Sequence, residues 1–231
     1  MRKLGMIGGT SWLSTAMYYE QINKAVAKSL GGLSSAPLVI ESLDLAPLAA
    51  WVLAGVWDMV GVTVAAAAAR LEAAGAQALI ICSNTTHKVA PAVQAAVSVP
   101  LLHIADATAE RLAADGVRKS GLIGTRFTME EGFFRERIES RGIAVALPDP
   151  ATAVEIDRII FEELARGQVS RNSQRRLKTC LTEMGKARQQ AVILGCTELV
   201  LLVDPGTSVI PVYDTTAIHA AAAARWMLGD F

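Results

Sequence analysis

The chain carries two copies of one folding unit, and that repeat limits its fold more than any other feature. Lys3 to Ile7 is a short apolar run that leads into Gly8-Gly9-Thr10-Ser11 and then into a helical pattern through Tyr18, Tyr19 and Ile22. Ser120 to Ile123 leads in the same way into Gly124-Thr125 and a helical pattern through Phe133, Phe134 and Ile138. Gly5, Ile7, Gly8, Tyr18 and Ile22 meet Gly121, Ile123, Gly124, Phe134 and Ile138, each 116 residues further on. A second correspondence, 113 residues apart, sets Gln77-Ala78-Leu79-Ile80-Ile81-Cys82-Ser83 against Gln190-Ala191-Val192-Ile193-Leu194-Gly195-Cys196. One short deletion accounts for the difference between the two steps. Each copy then reaches a further strand beside a proline, Val99-Pro100-Leu101-Leu102 and Val209-Ile210-Pro211-Val212.

A buried strand, a tight turn and a helix, repeated, predict a parallel sheet covered by helices. The expected fold is α/β, with two pseudo-symmetric halves and the active site in the cleft between them. Each half is a mainly parallel sheet of roughly four short strands flanked by helices. The halves are expected at 1–115 and 116–231, with Asp115-Gly116 as the joint. The C-terminal helix, Thr215 to Leu228, is expected to pack back on the first half. The alanine-rich stretches Ala65 to Ala76 and Ala220 to Ala224 read as tightly packed helices without a functional role.

Composition excludes several classes. With 231 residues, 52% of them hydrophobic, the chain can bury a substantial core. Lys+Arg and Asp+Glu both number 22, so no net field draws nucleic acid or an anionic membrane. The mean hydropathy is +0.36, yet apolar runs such as Val64 to Ala69 fall far short of the ~18–20 residues of a membrane span. Gly5, Gly8 and Gly9 break any secretory apolar region at the N-terminus. Three cysteines, an odd number, point away from a disulfide framework and towards a reducing compartment, the cytoplasm. Gly8-Gly9-Thr10-Ser11 lacks the lysine of a phosphate loop and the full dinucleotide fingerprint, and His103 and His219 lack a metal-site spacing. Neither a nucleotide nor a metal is expected as cofactor.

In parallel α/β sheets ligands collect at the carboxyl ends of the strands. Those ends are Gly8 to Ser11, Ser83 to His87, Gly124 to Arg126 and Cys196 to Glu198. Duplication puts Ser83 and Cys196 at equivalent points, from which they would approach a small ligand from opposite sides. Two acid/base groups flanking one carbon are what inversion of a stereocentre requires. The catalytic candidates are therefore Ser83, Cys196 and Glu198. Cys196 precedes a helix expected to begin near Glu198, whose dipole would lower the thiol pKa, and Glu198 would orient or deprotonate the thiol or else stabilise the first turn of that helix. Ser83 needs a helper, for which His87 is one turn along, or serves instead as a helix cap. Gly9, Thr10, Ser11, Asn84, Thr85, Thr125 and Thr197 are candidates to grip an α-carboxylate through hydroxyl, amide and backbone N–H groups. Cys82 and Cys180 read as core.

These residues resemble the aspartate/glutamate racemase family, and most of all its broad-specificity amino-acid racemases. The matching segments are Gly8-Gly9, Ser11-Trp12, Ser14-Thr15, Tyr18-Tyr19 and Ile22-Asn23; Asn84-Thr85 with His87-Lys88; His103-Ile104-Ala105-Asp106; Gly124-Thr125-Arg126 with Thr128-Met129; and Gly195-Cys196-Thr197-Glu198. The resemblance implies an isomerase acting on an amino acid, a homodimer, no pyridoxal phosphate, no metal, and two-base proton transfer at Cα. Two features depart from the family pattern. Ser83 stands where the family usually has cysteine, or threonine in a nearby subgroup. No Lys or Arg occurs between Lys28 and Arg70, and Leu48, Trp51 and Ala165 occupy neighbourhoods where aspartate-specific members carry basic residues. The alternatives are a one-cysteine decarboxylase of the same superfamily and a non-catalytic amino-acid-binding protein.

Overall fold

The computed structural model describes residues 1–203 and 205–229, in two compact units. The first comprises Met1–Ile104 and the chain from His219 onward; the second is Ala105–Ile218. In chain order the elements are β1 (Leu4–Gly8), α1 (Trp12–Leu30), β2 (Leu38–Ser42), α2 (Leu45–Ala54), α3 (Trp57–Ala73), β3 (Ala78–Ile81), α4 (Ala90–Ala95) and α5 (Ile104–Ala114). The second part of the chain adds β4 (Lys119–Gly124), α6 (Arg126–Glu130), α7 (Gly132–Glu139), β5 (Ala144–Ala146), α8 (Pro150–Glu162), α9 (Arg171–Lys186), β6 (Ala191–Gly195), β7 (Val212–Asp214) and α10 (Thr215–Leu228). Short 3₁₀ turns at Thr85–Val89 and Thr197–Leu201 come after β3 and β6.

Both sheets are parallel and share one topology. The first runs β2-β1-β3, with Leu101 joined to Leu79 by a single parallel bridge. The second runs β5-β4-β6-β7. Each order is second, first, third, fourth in sequence; in the first unit the fourth position has shrunk to that bridge.

The repeat reaches down to single contacts. Gln77 accepts the Lys3 N–H at 2.9 Å, and Gln190 accepts the Lys119 N–H at 2.9 Å, so equivalent glutamines hold the start of each first strand. Gly5 lies so close beneath Leu79 and Leu71 that a Cβ would come within 2.6 Å and 3.2 Å of them. Gly121 lies equally close beneath Met184 and Val192, the residues 113 further on, at 2.9 Å and 3.2 Å. A Cβ at Gly5 would also meet the Cβ atoms of Ala76 and Leu71, which are fixed to the backbone, whereas at Gly121 the flexible end of Met184 would have to give way.

Five of the larger core side chains of the first unit, Leu4, Met6, Tyr18, Ile22 and Ile80, pack with Ala220, Ala223, Trp226 and Met227 of α10. The second core gathers Ile123, Ile156, Leu177, Leu181, Val192 and Leu194 around Cys180 and Cys196. Most of the last helix of each repeat, α5 from Ala105 and α10 from His219, thus falls into the unit built by the other repeat. The unit boundaries lie at 104/105 and 218/219, each within a helix.

The alanine-rich stretches behave differently from each other. Ala220, Ala222, Ala223 and Ala224 are buried, but in α3 only Ala67 and Ala68 are, while Ala66, Ala69 and Ala73 face solvent. Among the described residues no helix is long and apolar enough to cross a membrane.

Candidate active site

Each unit contributes one cluster of polar residues at the carboxyl ends of its strands. In the first unit, β1 ends in a turn that only glycine suits: Gly9 has φ +74°, and a Cβ there would strike the backbone of Leu43. The Gly9 N–H donates to Thr15 Oγ1 at 2.8 Å, and that hydroxyl donates to the Ser11 carbonyl at 3.0 Å. Ser11 caps α1 by accepting the Ser14 N–H. Thr10 Oγ1 is buried and makes no hydrogen bond among the described residues. Such an orphaned hydroxyl is costly unless a ligand meets it.

Beyond β3, Ser83 is half-buried, Asn84 is buried, and Thr85 is half-buried at the start of the 3₁₀ turn. Ser83 Oγ accepts two hydrogen bonds from one residue, Thr86: from its N–H at 3.3 Å and its Oγ1 at 3.1 Å. His87 does not reach this hydroxyl, contrary to the sequence expectation. Its Nδ1–H donates to the Ser83 carbonyl at 2.6 Å, and its Nε2 accepts the Ile104 N–H at 3.3 Å. Both ring nitrogens are thus engaged by backbone groups.

All three histidines of the chain meet here. His87 lies 4.5 Å from His103 and 5.6 Å from His219, centroid to centroid. His219 accepts from Tyr18 OH at 2.8 Å and donates through Nε2 to the Leu102 carbonyl at 2.9 Å. Burial lowers its pKa to about 4, keeping it neutral. His103 and His219 are buried structural residues.

In the second unit, Thr125 caps α6 through the Thr128 N–H at 3.3 Å and shares a hydrogen bond with Thr128 Oγ1 at 3.1 Å. After β6 come Cys196, Thr197 and Glu198, all nearly inaccessible at 7%, 4% and 6% exposure. Cys196 Sγ donates to Glu198 Oε2 at 3.2 Å, and Thr197 Oγ1 donates to the same oxygen at 2.6 Å. The thiol pKa is pushed well up, first by burial and then by the Glu198 carboxylate. This reverses the lowering expected from a helix dipole. Cys196 leads into a five-residue 3₁₀ turn, too short to carry much dipole, and the carboxylate beside the thiol opposes a second negative charge. The resting arrangement is a protonated thiol aimed at a proton acceptor. Cys82 and Cys180 are core thiols, their pKa values raised by burial, that of Cys180 to about 11.

The end of β7 carries functional candidates that the sequence did not single out. Asp214, its pKa raised by burial, accepts the Thr216 N–H at 2.8 Å, and the buried Thr216 Oγ1 makes no hydrogen bond among the described residues. The strand-end rule that singles out the other loops, extended to the fourth strand, finds both. Thr86 is a further addition, although a hydroxyl three residues after Ser83 is visible in the sequence.

Two parallel α/β units, one ending a strand in Cys196-Thr197-Glu198 and the other ending the matching strand in Ser83, make up a duplicated thiol-bearing scaffold. The model of the Asp/Glu/hydantoin racemase family matches residues 7–223. A Yersinia pestis protein assigned as an Asp/Glu racemase is 44% identical, with a TM-score of 0.91 over 99% of this chain and 100% of that one. An aspartate racemase homologue from Pyrococcus horikoshii OT3 is 33% identical, with a TM-score of 0.83 over 99% and 100%. The broad-specificity amino-acid racemase RacX of Bacillus subtilis is 24% identical over 161 residues, which are 70% of this chain and 69% of that protein. The chain belongs to the Asp/Glu/hydantoin racemase family, a family of isomerases. The expected fold class and enzyme class both stand.

Proposed function

We propose that the protein inverts the Cα of an amino acid by two-base proton transfer, without pyridoxal phosphate or a metal, with Cys196 serving one face of the substrate and Ser83 the other. One observation carries this reading: the thiol of Cys196 is buried against the carboxylate of Glu198, which accepts its hydrogen bond. When substrate enters, Glu198 takes the thiol proton. The thiolate then removes the α-proton, and Ser83 delivers a proton to the opposite face. The two hydrogen bonds that Thr86 directs at Ser83 Oγ favour release of that proton, because they stabilise the developing alkoxide. Gly9, Thr10, Ser11, Asn84, Thr85, Thr125 and Thr197 hold the α-carboxylate and amine, and the orphaned Thr10 hydroxyl supports that role.

The substrate is a neutral amino acid. Leu48 is buried and Ala165 half-buried in the neighbourhoods that would otherwise supply cations, and an uncompensated second carboxylate in a closed pocket is costly. The enzyme works as a homodimer in the cytoplasm, where its three free cysteines stay reduced. The test is α-proton exchange in deuterated buffer with chelator present, across a panel of single amino acids. Neutral substrates should exchange without added cofactor. A requirement for pyridoxal phosphate or a divalent ion would overturn the mechanism, and a clear lead for aspartate or glutamate would overturn the substrate assignment.

A second reading is favoured by the commitment of His87 to backbone groups, which leaves Ser83 without a basic partner in that ring. In this reading Cys196 alone protonates a carbanion left by decarboxylation. Carbon dioxide released from arylmalonates, with no exchange into amino acids, would select it.

A further inference from the structure

We propose that the pocket between α9 and the loop leading to β7 binds a small phosphorylated molecule with an apolar or aromatic body. The pocket lies within the second unit and has a volume of about 410 Å³, inside the roughly 300–1,000 Å³ range of small-molecule sites. Arg171, Arg175 and Lys178 line it from α9, and the buried residues Leu181, Leu202 and Val203 supply apolar surface. Cations and apolar side chains in one concavity select a ligand with a negative head and a body that gains by leaving water. Guanidinium groups fit phosphate oxygens bidentately and stay charged at any physiological pH. Three cations exceed the single charge of a carboxylate, whereas a phosphate monoester carries about −1.5 to −2 near neutrality and meets them better.

These three cations are unfavourable where they stand. Arg171 is the first residue of α9, the end at which a helix disfavours positive charge. Arg175 follows it by four residues and Lys178 follows Arg175 by three, so like charges are neighbours along one side of the helix. No acidic residue occurs from Arg171 to Thr182. Among the described residues the nearby carboxylates are committed elsewhere, Glu155, Glu162 and Glu163 to Arg158 and Glu183 to Lys186. The repeat supplies an internal comparison. At the step of 113 residues, Arg171, Arg175 and Lys178 answer to Asp58, Val62 and Ala65 of α3, so a helix in this place folds onto its sheet without cations at those positions. A bound anion offsets the repulsion that the fold itself does not require. Leu181, Leu202 and Val203 also belong to the core cluster that contains Cys196, so a ligand seated on them rests against the packing of that thiol.

Calorimetric titration of 1-naphthyl phosphate into the full chain tests this, and because it reads binding it does not depend on the reaction proposed above. The probe should bind at one site per chain. It should bind more tightly than inorganic phosphate, which has the charge without the body, and more tightly than 1-naphthol, which has the body without the charge. Arg175→Ala with Lys178→Ala should weaken binding about tenfold or more, the scale of lost close charge pairs. Both residues are exposed, so the circular dichroism should not change. Val209→Glu, at an exposed residue of the pocket wall, should weaken binding in the same way by setting a carboxylate beside the anion while every cation stays in place. A wild type that does not bind the probe, or variants that bind it as the wild type does, would overturn the site. Inorganic phosphate binding as tightly as 1-naphthyl phosphate would overturn the assignment of an apolar body to the ligand.

Discussion

Glu198 acts on Cys196 in two opposed ways. Its charge raises the thiol pKa, which starves the resting enzyme of thiolate, and its oxygen, 3.2 Å away, accepts the thiol's hydrogen bond and on the proposed mechanism takes the proton. If the second role dominates in turnover, Glu198→Gln should lower L-side α-proton exchange by about 10²- to 10⁴-fold, the range of a lost general base. The same change should make the thiol titrate at lower pH, seen as ultraviolet thiolate absorbance, because the raising charge is gone. Exchange in the wild type should rise as pH climbs from neutral towards the raised thiol pKa, and Cys196→Ala should abolish it at every pH. Unchanged exchange in Glu198→Gln would reduce Glu198 to a structural partner of Thr197. The adjacency of Cys196 and Glu198 was legible in the sequence; the sign of the thiol shift was not. Burial on all sides comes from the packing of Leu199, Leu202 and Val203 around Cys196, which no local motif states. The role of His87 was misread for a related reason. A spacing of four residues allows contact with Ser83, but only the fold decides that the ring meets the carbonyl and not the hydroxyl.

At the scale of elements, the sequence revealed what the repeat preserves and lost what it does not. The first and third strands of each unit were found because their glycines and apolar runs recur at steps of 116 and 113 residues. The second strands, β2 and β5, start at Leu38 and Ala144, only 106 residues apart, because the 19-residue α1 is answered by the shorter pair α6 and α7. At the step of 116, β2 aligns with α8, so the correspondence disappears. Helix α10 shows how an element is tied into its unit: His219 links it to Tyr18 of α1 and to the Leu102 carbonyl. In the unfolded chain this imidazole takes a proton near 6.5, whereas in the folded chain it does so only near 4. Between those values the unfolded state binds more protons, so stability falls as pH drops through the window. The loss is complete below it, at about 3 kcal/mol. His219→Gln keeps an N–H for Leu102 but cannot titrate. Its melting temperature should start lower at pH 7 and then fall less steeply towards pH 4 than that of the wild type. Parallel profiles would assign the acid sensitivity to other groups.

At the scale of the whole molecule, the chain changes units twice, after Ile104 and after Ile218; the sequence reading set a joint at Asp115-Gly116 and the return of the C-terminal helix to the first half. Repeat periodicity marks where a copy begins, but which core receives its last helix is decided by tertiary packing. On the proposed two-base reading, inversion draws one proton group from each repeat, and the two groups are unlike. Cys196 is a thiol beside a carboxylate, and Ser83 is a hydroxyl that receives hydrogen bonds from Thr86 but none from a base in the ring of His87. A hydroxyl so placed gives up a proton more readily than it takes one from carbon. If Cys196 faces the α-proton of the L-enantiomer, as the family resemblance implies, L-substrate should exchange that proton with solvent faster than D-substrate, while free enantiomers still reach an equilibrium constant near one. Ser83→Cys restores a thiol at the repeat-equivalent position and should raise D-side exchange, leaving the L-side rate within a few-fold. Thr86→Val removes one of the two hydrogen bonds on Ser83 Oγ and should slow protonation from that side alone, with little effect in the Ser83→Cys background. Should Ser83→Ala remain fully active and Ser83→Cys leave D-side exchange unchanged, Ser83 would be no more than a turn cap, and the chemistry would belong to Cys196 by itself.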